Sequence, residues 1–235
     1  MKKGDIRKQE ILQTAEQLFC RKGYEKTSVQ DILDQLKSSK GSFYHHFASK
    51  ESLLETICAR RAEQNAASAF SASELNLNAK DRLNHVLMRM IPLSDERLSF
   101  VMMLLPVFDL AEGKSIRISY CESLRKAFHD AVREAIVLGN RSGEMACGDP
   151  DIFADIVISL VNLLWISVCD LIIENERKGE ETDPGELLHI TDQYRSAVER
   201  TVSVAFGTLI LIDIRTMKRL ADQIHMHWDS KQSYE

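Results

Sequence analysis

The chain has 235 residues, 44% of them apolar, and a formal charge of −5. That length allows one or two domains with a sizeable core, and the apolar share is a globular value. No run of about 18 residues is free of charges, so no membrane span is expected.

Only four Pro and ten Gly punctuate the chain. Long stretches repeat at the 3.6-residue helical period, and no alternating strand pattern competes with them. The fold class is therefore expected to be all-α. Charge is unevenly spread: residues 1–50 hold ten Lys and Arg against six Asp and Glu, a surplus of +4, which leaves −9 for the remainder. A basic head on an acidic body keeps affinity for phosphate local. The N-terminus, Met1 to Asp5 followed by an amphipathic helix, lacks the apolar stretch of a secretory signal, so a cytoplasmic protein is expected.

The first helix is predicted over 5–22, with Ile6, Ile11, Leu12, Ala15, Leu18 and Phe19 inward. Thr27 reads as the cap of the second helix, 28–36, with Gln30 three residues on to complete a capping box. Val29, Ile32, Leu33 and Leu36 fall on one face of it. Ser38 or Ser39 caps a third, short helix over 39–46. Phe43 and Phe47, four apart, share one face and anchor it. The opposite face carries Ser39, Lys40, Ser42, Tyr44 and His45, which are hydrogen-bonding groups with a positive charge. Gly41 lets a phosphate or base edge approach the backbone. Ser49 caps the fourth helix, and Lys50 in its first turn is a candidate phosphate ligand. Two short helices joined by a tight turn fit a DNA major groove.

Asp31-Ile32, the run Ser39 to Phe47, and Ser49-Lys50-Glu51 closely resemble the DNA-binding signature of the TetR (tetracycline repressor) family. Ile11, Ala15, Leu18, Phe19, Gly23, Tyr24, Thr27 and Ser28 fit that family's first helix and its exit. The likeness covers roughly residues 5–60. The chain departs from the family's pattern at Lys37, where a Gly is usual, and at Ser38, where an apolar residue is usual. The resemblance implies a helix-turn-helix DNA-binding domain over 1–50 and a helical regulatory and dimerisation domain over 51–235. It implies DNA contacts from Thr27, Ser28, Ser39, Lys40, Gly41, Ser42, Tyr44, His45 and Lys50.

The fourth helix runs from about 50 into the 70s and leaves the head. A fifth is predicted over 80–91, stopped by Pro92. A sixth, capped by Ser94, spans 95–111 and is expected to kink or split at Pro106. A seventh covers 115–139 and ends at Gly139-Asn140. After a loop, Asp149-Pro150 starts an eighth that runs to about 177. Asp183-Pro184-Gly185-Glu186 repeats the device with a capping box. The ninth helix runs to about Phe206, and a last one ends near 227.

A helix of seven or eight residues reads too few base pairs alone, so a homodimer on paired half-sites is expected. The eighth helix, apolar almost all round, and the ninth would form a four-helix interface. The residues expected there are Phe153, Ile156, Leu160, Leu164, Leu187, Tyr194, Val198 and Val202. In the family the middle helices enclose an inducer. Here Met88, Met102, Met103, Phe108, Tyr120, Phe128 and Trp165 would line a site for a hydrophobic or aromatic effector.

Five cysteines, Cys20, Cys58, Cys121, Cys147 and Cys169, form no Cys-x-x-Cys pair, which fits a reducing compartment. All but Cys147 lie in apolar helical patterns and read as core; Cys147 lies in a loop and would oxidise most readily. No phosphate loop, His-Glu-x-x-His or nucleophile elbow occurs. His45 and His46 are adjacent and make poor joint metal ligands. No catalytic residue, metal or cofactor is expected. The partners implied are double-stranded operator DNA, a second copy and a small-molecule effector, with no membrane. The expected function is a ligand-responsive transcriptional repressor. The alternative is a DNA-binding protein of the same fold without an inducer, acting as an activator or organising DNA.

Overall fold

The computed structural model describes residues 3–70, 76–91, 95–212 and 215–223. Among these residues there are helices and no strands. The helices are α1 (Lys3–Lys22), α2 (Val29–Leu36), α3 (Lys40–Tyr44), α4 (Lys50–Phe70), α5 (Ala79–Met90), α6 (Asp95–Phe108), α7 (Gly113–Ser142), α8 (Pro150–Lys178) and α9 (Pro184–Val202). Residues 215–223 are also helical. The expected stop at Pro92, the cap at Ser94 and the end of the last helix near 227 lie outside the described residues.

The chain divides into two compact units. The first comprises Met1–Ala62 and Ser99–Ser123. Here α1 buries Ile11, Leu12, Ala15, Leu18 and Phe19, a helical stripe. Tyr24 then folds back edge-on to Phe19, with ring centroids 5.1 Å apart. Ile32, Leu33, Phe43, Phe47, Leu53, Leu54 and Ile57 complete the core from α2, α3 and α4. Each such side chain contributes roughly 1.5–3 kcal/mol by leaving water. An ion cluster joins the two long helices: the mostly buried Glu16 of α1 accepts from Arg60 and Arg61 of α4. The Arg61 guanidinium also lies 5.4 Å from the Phe100 ring centroid, and Phe100 meets Tyr120 edge-on at 6.1 Å.

Pro106 does not split α6, which continues to Phe108. It sits in the last turn, so the hydrogen bond it deletes lies at an end that is closing anyway. Tighter bonds from Asp109 N–H to the Pro106 carbonyl and from Leu110 N–H to the Val107 carbonyl follow.

The second unit comprises Glu63–Leu98 and Leu124–Glu235. Its α7 passes Gly139 and ends at Ser142, with Gly143 in the left-handed region at φ 75°. Gly139 is therefore not a stop. A Cβ there would sit 2.5 Å from Met145 Sδ, so the glycine makes room for the following loop to fold back. Met145 N–H donates to the Gly139 carbonyl at 3.1 Å. Asp149 caps α8, accepting from Asp151 and Ile152, and Pro150 is the first helical residue.

Asp183 does the same for α9, although its acceptor role is to Gly185 N–H and Glu186 is exposed. α9 stops at Val202 rather than near Phe206, because Ser203 turns left-handed at φ 59°. The loop beyond it is held from two sides. Buried Glu199 accepts from Leu209 N–H at 2.9 Å, and Asn84 accepts from Ile210 N–H at 2.7 Å.

By length and composition α8 is apolar enough to cross a bilayer, against the expectation that no segment would be. More than half of that apolar window, 56%, is buried inside the chain, as in the core helix of a soluble fold.

Candidate nucleic-acid interface

Local chemistry builds the helix-turn-helix. Ser28, not Thr27, caps α2: its Oγ accepts from Asp31 N–H at 3.1 Å, and Asp31 Oδ2 accepts from Ser28 N–H at 2.7 Å. The capping box thus runs Ser28 to Asp31, one residue later than Thr27 to Gln30 would place it. The Ser28 hydroxyl and N–H both donate to the Asp31 carboxylate and, with Lys22 Nζ at 3.2 Å, hold it down at about 2. Thr27 is fully buried. Its hydroxyl donates to the Gly23 carbonyl at 2.8 Å, and its N–H donates to the Tyr24 carbonyl at 3.1 Å. Both of its donors are spent inside the fold, so it does not offer the phosphate contact expected of it.

The turn keeps the left-handed geometry that a glycine would adopt, with Lys37 at φ 49°, ψ 47°. Its N–H donates to the Asp34 carbonyl and Ser38 N–H to the Leu33 carbonyl. This pair of bonds closes the end of α2. Ser39 then caps α3, accepting from Ser42 N–H at 3.3 Å. α3 is shorter than predicted, Lys40–Tyr44, with His45 at its C-cap.

Phe43 and Phe47 are buried with ring centroids 5.8 Å apart, and they fix the inner side of α3. The other side is open: Ser39, Lys40, Gly41, Tyr44 and His45 are exposed, and Ser42 is half-buried. Tyr44 leaves 57% of its surface in solvent, unusual for an aromatic beside a core. Gly41 has an ordinary helical φ, and a Cβ there would approach nothing closer than Ser39 Oγ at 3.9 Å. Nothing inside the fold requires glycine at this position.

Lys50 does not face outward. Its Nζ donates to the carbonyls of Tyr24 (3.1 Å) and Thr27 (3.2 Å) and lies 4.0 Å from the Tyr24 ring centroid. It ties α4 to the loop before α2, and two of its three donors are spent on those carbonyls. Glu51 beside it accepts from the Tyr24 hydroxyl at 3.4 Å. Desolvation and the Glu51 charge push the Tyr24 hydroxyl well above its ordinary range.

The residues expected at the dimer face separate into two groups. Leu164, Leu187, Val198 and Val202 are fully buried within the chain and are core, not interface. α8 and α9 pack on each other within the chain. Phe153, Leu160 and Tyr194 are half-buried, and Ile156 is exposed. Ile152 (59%) and Leu163 (48%) join Ile156 to leave an open apolar stripe on α8.

The expected effector residues belong to both units. Met102, Met103, Phe108 and Tyr120 lie in the first; Met88, Phe128 and Trp165 lie in the second. All are buried except Met102, which is half-buried, and Met88, which is exposed on α5. Trp165 Nε1 donates to Asn162 Oδ1 at 3.3 Å within the second core. Cys147 is held through its backbone by Asn140, at 2.9 and 3.1 Å. Burial raises its thiol above the ordinary value, which opposes easy oxidation. Among the described residues no cluster of His, Cys, Asp and Glu is arranged to hold a metal ion.

Residues 11–57 match the family described as "Bacterial regulatory proteins, tetR family". YuxN of Bacillus subtilis, an HTH-type transcriptional regulator, is 57% identical over 44 residues. That match covers 19% of this chain and 15% of YuxN. The HTH-type transcriptional repressor KstR2 of Mycolicibacterium smegmatis is 29% identical over 176 residues, 69% of this chain and 78% of the repressor. A solved TetR-family transcriptional regulator from Mesorhizobium loti shares the fold at a TM-score of 0.55 and 21% identity. The alignment spans 85% of this chain and 98% of that one.

Proposed function

We propose that this chain, which belongs to the tetR family of bacterial regulatory proteins, is a repressor acting in the cytoplasm. It binds a palindromic operator as a homodimer and leaves it when a small hydrophobic or aromatic effector binds. The observation that carries the reading is the outer side of α3. Lys40, Gly41, Tyr44 and His45 stand open on a helix whose inner side is fixed by Phe43 and Phe47. Tyr44 and His45 are suited to base edges or backbone, and Lys40 to phosphate.

The exposed stripe of Ile152, Ile156 and Leu163 on α8 supports the dimer, since a second copy would cover it. Two α8–α9 pairs would then set the recognition helices at half-sites about 34–36 Å apart, or a multiple of that. Helices α4, α6 and α7 each run from one compact unit into the other. An effector that changed the separation of the two recognition helices would cost the half-site spacing and release DNA.

The test is fluorescence anisotropy of the 235-residue chain on labelled duplex from its own upstream region, against scrambled duplex, at about 150 mM salt. Binding at least about 10³-fold tighter to the upstream duplex is the expected result. Absence of binding to either duplex overturns the reading. A thermal-shift screen of apolar and aromatic compounds follows, and compounds that raise Tm are tested for release of DNA.

A further inference from the structure

We infer that Lys37, at the turn between α2 and α3, is a DNA-backbone contact built into this chain's version of the motif. The inference rests on the DNA-binding reading above and adds a residue to it. Lys37 adopts φ 49°, ψ 47°. Only one other described non-glycine residue, Ser203, has a positive φ. A lysine in this region clashes through its Cβ with backbone oxygen, and glycine would relieve the strain at once. The turn itself has no need of the side chain. Its closing bonds, from Lys37 N–H and Ser38 N–H to the Asp34 and Leu33 carbonyls, are made by backbone alone. The side chain is exposed and, among the described residues, enters no ion pair or hydrogen bond. Neither internal packing nor internal charge accounts for a strained lysine, so its use lies outside the chain.

Its place fits a phosphate. Lys37 stands two residues before Ser39, the N-cap of the helix that carries the recognition residues. Two of the donors that would otherwise hold the DNA backbone are turned inward: Thr27 is buried, and Lys50 is bound to the Tyr24 and Thr27 carbonyls. Lys22 on the neighbouring helix is paired with Asp31. Lys26, Lys37 and Lys40 are the exposed cations left between residues 23 and 40. Of these, Lys37 sits in the tight turn that leads directly into α3.

The probe is a fluorescein-labelled mixed-sequence duplex of about 30 base pairs, because a phosphate contact is independent of sequence. Binding of the full chain is titrated from about 50 to 200 mM salt for wild type, Lys37→Gly, Lys37→Asn and Lys37→Arg, with Tm recorded for each. Glycine and asparagine both tolerate the left-handed turn and remove the charge. The expected result is that both bind about threefold or more weakly and lower the salt slope by about 0.9. Lys37→Arg is expected to match wild type. Lys37→Gly is expected to melt no lower than wild type. A Lys37 that merely caps α2 would behave in the opposite way, with Lys37→Gly binding as tightly as wild type or more so. Unchanged affinity and slope in the two neutral variants overturn the inference, as does a loss that Lys37→Arg shares. Failure of wild type to bind any duplex overturns the DNA-binding reading itself, and is told apart because it precedes every variant.

Discussion

Helices α3 and α8 use burial in opposite ways. α3 is five residues long, drives Phe43 into the core and leaves a polar, partly cationic side in solvent. α8 is 29 residues long, buries twelve of them and leaves an apolar stripe open at Ile152, Ile156 and Leu163. The buried sides of both are ordinary packing and say nothing about partners. What remains exposed differs: hydrogen-bonding groups and a cation on one, bare hydrocarbon on the other. The first surface suits a hydrated polyanion and the second suits another apolar helix.

Removing the anchor of α3 breaks this comparison most severely. Phe43→Ala empties a fully buried site and should cost about 3–5 kcal/mol. Urea denaturation should show that loss, and DNA binding should disappear with it. If stability falls and binding survives, the open side of α3 is not what holds DNA.

The α8 stripe should respond in the reverse sense. Ile156 and Leu163 touch solvent in the single chain, so Ile156→Glu with Leu163→Glu should change its stability by only about 0.5 kcal/mol for each site. Self-association should weaken more than tenfold, because two carboxylates would be desolvated against a second copy. Sedimentation velocity across a concentration series checks it. A dimer that persists unchanged in the double variant places the interface elsewhere.

How far these surfaces were legible in sequence depends on the range of the forces that set them. The caps Ser39, Asp149 and Asp183 were readable, because a cap bonds to a backbone N–H two or three residues away. The anchoring pair Phe43 and Phe47 was readable from its spacing. Thr27 and Ser28 are both good caps and stand side by side. What turns Thr27 inward is the Gly23 carbonyl at the end of α1, which spacing along α2 does not reveal. Lys50 likewise turns inward to carbonyls more than twenty residues away. On α8 the apolar residues run nearly all round, so periodicity cannot tell the side that meets α9 from the side that stays open. Leu164, Leu187, Val198 and Val202 were therefore expected outside and lie inside. The Glu16–Arg60–Arg61 cluster had no local signal, since its partners are 44 and 45 residues apart.

Gly41→Ala sharpens the contrast between folding and function on α3. Alanine in an open helical position should stabilise the fold by about 0.5–1 kcal/mol, because nothing lies within 3.9 Å of the added Cβ. The same methyl group stands where a base edge or phosphate would come close. Tm should rise while affinity for DNA falls. A variant that is more stable and binds normally would show that Gly41 leaves room for nothing.

The smallest effect concerns Asp31, which sets the entry of α2 and so the pose of the turn that carries Lys37. Its carboxyl is held near 2 by the Ser28 bonds and by Lys22, against an ordinary 3.8. A group whose folded value is depressed adds stability above the unfolded value and loses it as acid protonates the folded form. That contribution should therefore be complete above about pH 5 and decline as pH falls from there toward about 2. Asp31→Asn keeps an oxygen for the Ser28 N–H but removes the charge and the ion pair. Its Tm should lie below that of wild type at pH 7, and the gap should close as both are taken toward pH 3. The gap should be modest, because Lys22 is exposed and Asp31 about a third so, and water screens the pair. A gap that stays constant with pH would mean that the capping geometry, rather than the carboxylate charge, is what Asp31 supplies.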